Sequence, residues 1–416
     1  MNLRKGLIIR LCFCLALLTA LWVLASCGGS GNQVNTTGNS SGSTTTVNNT
    51  QSIEVNLGPA NNYVNGLFAS VTICVHGTST CQTIPNMLVD TGSEGVRVLA
   101  SQLSLSLPAI TDSGNNPLQE CLGFADGSFL WGPVESADIQ LAGETALSVP
   151  LQVVAAPDTG IPVPSSCSSG GGVNQGTVAG LGANGILGIG NFRQDCGGAC
   201  TAASSQVPAL YFLCPNSACQ VTSVPLADQL QNPVWLFPQD NNGLLISLPS
   251  VSAGGAQTVS GSLIFGIGTQ SNNALGSAQV YTTDANGDFQ TTFKNVAYSQ
   301  SFIDSGSNAL YFLDSNTLGI PDCSDNTGFY CPGSTINYSA TNTGLNGAAA
   351  SLSFSIANAD SLFNTNNGNN AAFNNLGGDS PGNFDWGMPF FYGHNVFIGI
   401  EGQAGPTGVI GPYWAY

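Results

Sequence analysis

The sequence predicts an all-β protein folded in two lobes, on three observations. The composition is rich in Gly (53 residues) and in Asn, Ser and Thr, and only 7% of residues are charged. Strong helix formers are therefore scarce and turn formers abundant. The length, 416 residues, exceeds what one ordinary core organises and suits two lobes of roughly 150–200 residues. Finally, a short strand–turn–strand motif occurs twice, once in each half.

The chain opens MNLRKGLIIRLCFCLALLTALWVLASC. Arg4, Lys5 and Arg10 precede an apolar run over 11–25, the pattern of a secretory leader. Arg10 keeps that run below the roughly 20 residues a membrane span needs. Leu24-Ala25-Ser26-Cys27 resembles the lipobox of bacterial lipoproteins, so residues 1–26 are expected to be removed and Cys27 lipidated. Gly28 follows, with no Asp in the position of an inner-membrane retention signal. That resemblance implies an outer-membrane lipoprotein facing the periplasm or the cell exterior. Residues 27–52 carry the lipid and a Gly/Ser/Thr/Asn stretch with nothing to bury, which reads as a flexible tether. Lobes are expected over 53–225 and 226–416.

Beyond Cys27 only Arg97, Arg193 and Lys294 oppose 23 acidic residues. A nucleic-acid partner is excluded, because almost nothing could neutralise phosphates. Anionic lipid is repelled too, which leaves the lipid anchor to hold the protein at the membrane. Of 13 cysteines, Cys12 and Cys14 leave with the leader and Cys27 is lipidated. The remaining ten form an even set of the kind that an oxidising compartment turns into disulfides. Close pairs are Cys74 with Cys81 and Cys323 with Cys331, each flanking a turn-rich segment, which leaves Cys121 with Cys167. Cys196, Cys200, Cys214 and Cys219 pair either as neighbours or crosswise. A thiol metal site is not expected, since no paired C-x2-C spacing occurs.

Asp-Thr/Ser-Gly begins at Asp90, Asp112, Asp158 and Asp304. Asp112 and Asp158 lie in polar or Pro-flanked stretches and read as Asx turns. The other two sit in apolar frames. Met87-Leu88-Val89 leads into Asp90-Thr91-Gly92-Ser93, and Val96-Arg97-Val98-Leu99 follows. Phe302-Ile303 leads into Asp304-Ser305-Gly306-Ser307, and Ala309 to Leu313 follows. Each places a carboxylate at the tip of a tight turn inside a hydrophobic setting, with a glycine that permits close backbone approach.

These turns resemble the active-site turns of pepsin-like aspartic proteases, and the likeness spans roughly residues 53–416. Leu67 to Val89 resembles the hairpin entering the first catalytic strand, and Phe124-Ala125-Asp126-Gly127-Ser128 the tip of the flap hairpin. Gly185 to Gly190 resembles the first crossing strand. Pro233 to Phe237 and Gly261 to Gly266 resemble the start of the second lobe, and Trp386-Gly387 with Val396 to Ile398 the second crossing strand and final hairpin. The chain also resembles a proteobacterial lipoprotein family of unknown function. The resemblance implies a bilobal fold with a central cleft, a catalytic Asp90–Asp304 dyad sharing one proton, and Ser93 and Ser307 bonded to the outer carboxylate oxygens. A peptide or protein substrate, a monomeric state, and no metal or organic cofactor are implied with it.

Three positions depart from the family pattern. Phe124 stands where a flap tyrosine is usual, Arg97 where its tryptophan partner is usual, and Asn184 where an acid often precedes the crossing strand. Arg97 either lowers the apparent pKa of Asp90 or pairs with Glu94 at the surface. An alternative function follows from these departures, a non-catalytic module that holds a peptide in the cleft. A two-carboxylate glycosidase ranks below both, because Asp-Thr/Ser-Gly turns have no special role in that chemistry. His76 and His394 are the only histidines and read as a surface turn residue and a hairpin residue. Residues 364–378, NTNNGNNAAFNNLGG, read as a flexible surface insertion, and 168–172, SSGGG, as a loop.

Overall fold

The computed structural model describes residues 48–155, 162–202, 207–215 and 218–416. The leader, Cys27, the tether up to residue 47 and the Asp158 turn lie outside the described residues. The fold is all-β. Runs rich in Val, Ile, Thr and Phe form the strands, and Gly, Asn and Asp supply the connections. One 15-stranded sheet passes through both halves, and a seven-stranded sheet belongs to the second half. Within the larger sheet the two halves of the chain are joined by the strand Thr50–Asn56. It pairs antiparallel with Gly66–Cys74 on one side and with Val259–Phe265 on the other. Ile53 and Val55 alternate inward from it into the shared core.

Each half repeats one local topology around its turn. Strand Cys81–Asp90 ends at Asp90, and strand Gly185–Ile189 runs parallel to it with Gly188 opposite Asp90. The same crossing strand is antiparallel to Glu94–Leu99, which leaves the turn. In the second half Val296–Ile303 enters the turn, and Ser380–Trp386 lies parallel to it with Trp386 opposite Ile303. Leu310–Leu313 leaves the turn antiparallel to that strand. Strands entering and leaving each Asp are thus clamped by a third strand between them. Glu94–Leu99, Gly185–Ile189 and Leu310–Leu313 are buried along their whole length, on both faces. Under the second turn an aromatic layer of Phe293, Phe312, Phe384 and Trp386 fills the core, with Phe312 and Phe384 at 5.0 Å between centroids.

All five disulfides form, Cys74–Cys81, Cys121–Cys167, Cys196–Cys200, Cys214–Cys219 and Cys323–Cys331. The middle four cysteines therefore pair as neighbours and do not cross. Cys121–Cys167 closes the longest interval, 46 residues, and so restricts the unfolded chain most. Replacing both cysteines by Ser is expected to lower stability by about 2–4 kcal/mol. The pair Cys74/Cys81, 7 residues apart, is expected to cost less. Urea unfolding of the two double variants under non-reducing conditions measures the difference.

Three expectations are corrected. The tether ends earlier than residue 52, because Thr50, Gln51 and Ser52 already pair with Ile264, Leu263 and Ser262. Residues 364–378 are a packed segment rather than a flexible insertion: Ala371, Ala372, Phe373 and Leu376 are buried. Asn370, Asn374 and Asn375 donate their amides to the main-chain oxygens of Gly254, Val251 and Ala253. The Asn side chains thus serve as caps for a neighbouring loop. Finally, Gly393-His394 joins the short helix Met388–Phe391 to strand Asn395–Gly399 and is not a hairpin turn. His394 stacks on Phe390 and bonds its carbonyl oxygen at 2.6 Å. His76 stays in its turn, half exposed, with Nδ1 2.7 Å from Asp138 Oδ1.

Candidate active site

The two Asp-Thr/Ser-Gly-Ser turns meet face to face. Each aspartate is held the same way by its own turn. Asp90 Oδ1 accepts from the Gly92 amide at 2.9 Å and Oδ2 from the Ser93 hydroxyl at 2.6 Å. Asp304 Oδ1 accepts from the Gly306 amide at 2.7 Å and Oδ2 from the Ser307 hydroxyl at 2.9 Å. The turns are laced together by their second residues. Thr91 Oγ1 accepts from the Ser305 amide at 2.9 Å, and Ser305 Oγ accepts from the Thr91 amide at 3.1 Å. Ser305 Oγ also donates to the Val89 carbonyl at 2.7 Å. This reciprocal lattice leaves no slack between the halves.

The glycines explain the closeness. A Cβ on Gly306 would stand 2.6 Å from Asp90 Oδ1, and one on Gly92 would stand 2.7 Å from Asp304 Cγ. Only glycine admits the opposite carboxyl there. Both aspartates are 0% exposed, and their side chains share a hydrogen bond. Burial pushes both carboxyls above the ordinary range. On Asp90 that push is opposed by the bonds from Ser93, Asp304 and Gly92, and last by the charge of Arg97. Asp304 is driven further up, after burial, by the negative charges of Asp90 and Asp385. The two carboxyls therefore titrate as a unit, with Asp304 held the further above its ordinary value.

Two acids to which the sequence assigned no place beside the dyad flank it. Glu94 opens the strand leaving the first turn, and its Oε1 accepts from the Phe192 amide at 3.2 Å. Burial, aided by the charge of Asp90, pushes it up to about 8. Asp385 is fully buried on the second crossing strand. Glu94 thus holds a proton in the folded chain that the unfolded chain releases above about 4.5. Between about 4.5 and 8 the native state thus binds more protons, so stability falls as pH rises. Each pH unit in that window is expected to cost up to about 1.4 kcal/mol through Glu94. Thermal midpoints measured from pH 5 to 8 should decline, and Glu94→Gln should flatten the decline.

Arg97 neither sits at the surface nor pairs with the Glu94 side chain. It is 0% exposed, because both faces of its strand are covered. Nη2 donates to Glu120 Oε1 at 2.6 Å and to Asp195 Oδ2 at 3.3 Å, and Nη1 donates to the Glu94 carbonyl at 2.8 Å. Tyr211 donates to Asp195 Oδ1 at 2.7 Å and accepts from the Leu230 amide at 2.7 Å. Burial and then the charge of Glu120 hold Asp195 well above its ordinary value. Asn184, in place of the usual acid, ties two strands instead, donating to the Pro85 carbonyl at 2.8 Å.

Phe124, Asp126, Gly127 and Ser128 do form a hairpin tip, between strands Leu118–Gly123 and Phe129–Leu141. Asp126 Oδ1 accepts from the Ser128 amide and hydroxyl at 2.9 and 2.6 Å. The tip is not free. Gly172 donates to the Gly127 carbonyl at 3.1 Å, and Phe129 to Val173 at 3.2 Å. A Cβ on Gly127 would stand 2.5 Å from Gly170 O. The SSGGG loop thus lies on the hairpin, fastened by Cys121–Cys167. Phe124 is buried in a cluster with Tyr63, Leu122 and Leu130, and the Tyr63 hydroxyl donates to the Gly306 carbonyl at 3.1 Å. Tyr63, missed in the sequence, therefore links the hairpin's core to the second turn.

Among the described residues, the one cluster with metal-ligand chemistry is Cys323, Cys331 and Asp360. Its two sulfurs are bonded to each other, so it offers no thiolate to a cation.

An all-β chain with two clamped aspartate turns in reciprocal contact has the organisation that the aspartic-protease resemblance implies. The chain belongs to the family described as "Protein of unknown function (DUF3443)", which it matches over residues 45–416. Its structure is similar to that of the aspartic proteinase from Irpex lacteus, at 15% sequence identity and a TM-score of 0.49. The similarity covers 88% of this chain and 96% of that one. No curated protein matches the chain.

Proposed function

We propose that this protein is an aspartic endopeptidase of the cell envelope. The observation that carries the reading is the reciprocal lattice of Thr91 and Ser305, which holds the buried Asp90 and Asp304 against each other. In the reaction, ionised Asp90 takes a proton from a water that attacks the scissile carbonyl carbon. Protonated Asp304 gives its proton to the carbonyl oxygen, forming a neutral tetrahedral diol. Asp90 then passes its new proton to the amide nitrogen, the C–N bond breaks, and one diol hydroxyl returns its proton to the dyad. Ser93 and Ser307 keep both carboxyls in the required orientation through the transfer.

The envelope location rests on the leader, the lipobox at Cys27 and five disulfides that require an oxidising compartment. Lipidation at Cys27, outer-membrane anchoring and a monomeric state belong to the same proposal. The second reading, a non-catalytic module that binds a peptide, is favoured by one observation: both aspartates are fully buried and the hairpin tip is fastened down. Digestion of a diverse peptide mixture by the soluble domain from pH 3 to 7 separates the two. Cuts blocked by a statine-type inhibitor are expected. Silence at every pH, with peptides still retained by folded protein, would instead establish the binding module.

A further inference from the structure

A cavity of ≈ 660 Å³ opens away from the dyad, where the segment after the first crossing strand meets residues 226–236 and the turn at Glu401-Gly402. Its wall includes Arg193, Gln231, Leu226, Trp235, Leu236 and Glu401, and none of the residues of the two aspartate turns. Arg193 has a different situation from the other two cations of the described chain. Arg97 is buried on two carboxylates, and the ammonium of Lys294 lies over the rings of Phe293 and Tyr338. Arg193 makes no ion pair among the described residues. Its Nε donates to the Glu401 main-chain oxygen at 2.9 Å. Its guanidinium carbon sits 5.1 Å from the centre of the Trp235 ring. A Cβ on Gly402 would stand 2.7 Å from Nη2, so the fork is held between an indole and a bare backbone. Its two terminal amino groups have no acceptor among the described residues. The indole N–H of Trp235 is likewise buried without a partner. Beside these donors lies an apolar wall that includes Leu226, 44% exposed.

We propose that this cavity is a binding site for the C-terminal end of a peptide, with the terminal carboxylate on Arg193 and an apolar last side chain against Leu226, Trp235 and Leu236. A planar fork held in place suits a carboxylate, which accepts two parallel N–H bonds. The volume falls within the range of small-ligand sites and takes more than one residue. Glu401 in the same wall, and the strong acidic excess of the chain, reject polyanions, so a single carboxylate on an otherwise neutral, apolar end is the matching charge pattern. The site does not depend on the dyad being active. If the dyad does cut, each cut creates a chain end of this chemistry.

Isothermal titration with N-acetyl-leucyl-leucine and with its C-terminal amide tests the proposal. The acid is expected to bind at least about tenfold more tightly than the amide, the size of one charge-assisted contact. Arg193→Gln should erase that preference, and Leu226→Asp, at an exposed position, should weaken both probes. Lys294→Gln should leave binding unchanged, as should Asp90→Asn. Equal binding of acid and amide, an unaltered preference in Arg193→Gln, or no binding at millimolar concentration would overturn the site. Loss of the preference in Asp90→Asn would do the same, by moving the probe to the dyad.

Discussion

Asp90→Asn and Asp304→Asn are each expected to lower the proposed peptide cleavage by about 10²–10⁴-fold, the contribution of one positioned acid or base, and Asp304→Asn is expected to raise stability at neutral pH. The two effects have one cause. Burial, with the negative charges of Asp90 and Asp385, holds the Asp304 carboxyl well above its ordinary value. The unfolded chain releases the proton of that carboxyl above its ordinary value of 3.8. At neutral pH the folded state therefore carries the cost of a carboxyl that water would ionise. An amide carries no such cost, and its oxygen still accepts from the Gly306 amide. Initial rates on a cleaved peptide, with melting curves of the same samples from pH 5 to 8, measure both halves. A turn aspartate with a purely structural role predicts the reverse stability change, since the Asn variant would only lose hydrogen bonds.

Arg97→Leu is expected to destabilise the domain by about 3–5 kcal/mol, the cost of leaving a buried charge without its partner. Glu120 is 0% exposed, and Arg97 is its cation. Asp195 and Tyr211 are bonded into the same network, so the loss spreads to the connection that leads out of the first crossing strand. The double variant Arg97→Leu/Glu120→Gln should recover much of the stability, because the carboxylate nearest Arg97 is then replaced by a neutral amide. Urea unfolding of wild type, single and double variants forms the cycle that checks it. A single variant as stable as the double one would show that the ion pair contributes nothing.

The sequence showed the two turns and hid what surrounds them, for a physical reason. A carboxylate flanked by apolar strands and followed by Gly and Ser is a local pattern, and Asp90, Asp304, Ser93 and Ser307 lie within four residues of one another in each turn. Glu94, Arg97, Glu120 and Asp385 sit on strand stretches that are buried on both faces. Alternation along such a strand says nothing about which polar residue is enclosed, because the covering element comes from elsewhere in the chain. Arg97 meets Asp195 and Glu120 only after three strands have paired, so its role as a core ion was invisible. Residues 364–378 misled for the opposite reason. Their composition is that of a loop, yet the amides of Asn370, Asn374 and Asn375 found carbonyls on a neighbouring segment, and Ala371-Ala372-Phe373 supplied buried surface.

The joining strand Thr50–Asn56 sets the order in which the protein is completed. It is the first part of the described chain to leave the ribosome, yet one of its edges waits for Val259–Phe265, some two hundred residues later. Until then that edge presents unpaired N–H and C=O groups, open to pairing with any other extended chain. Contacts this distant in sequence also close slowly. The interval between synthesis of the first strand and of its partner is therefore when a nascent copy is most exposed to pairing with its neighbours. A chain truncated before residue 259 would keep that edge open for good and be expected to aggregate through it.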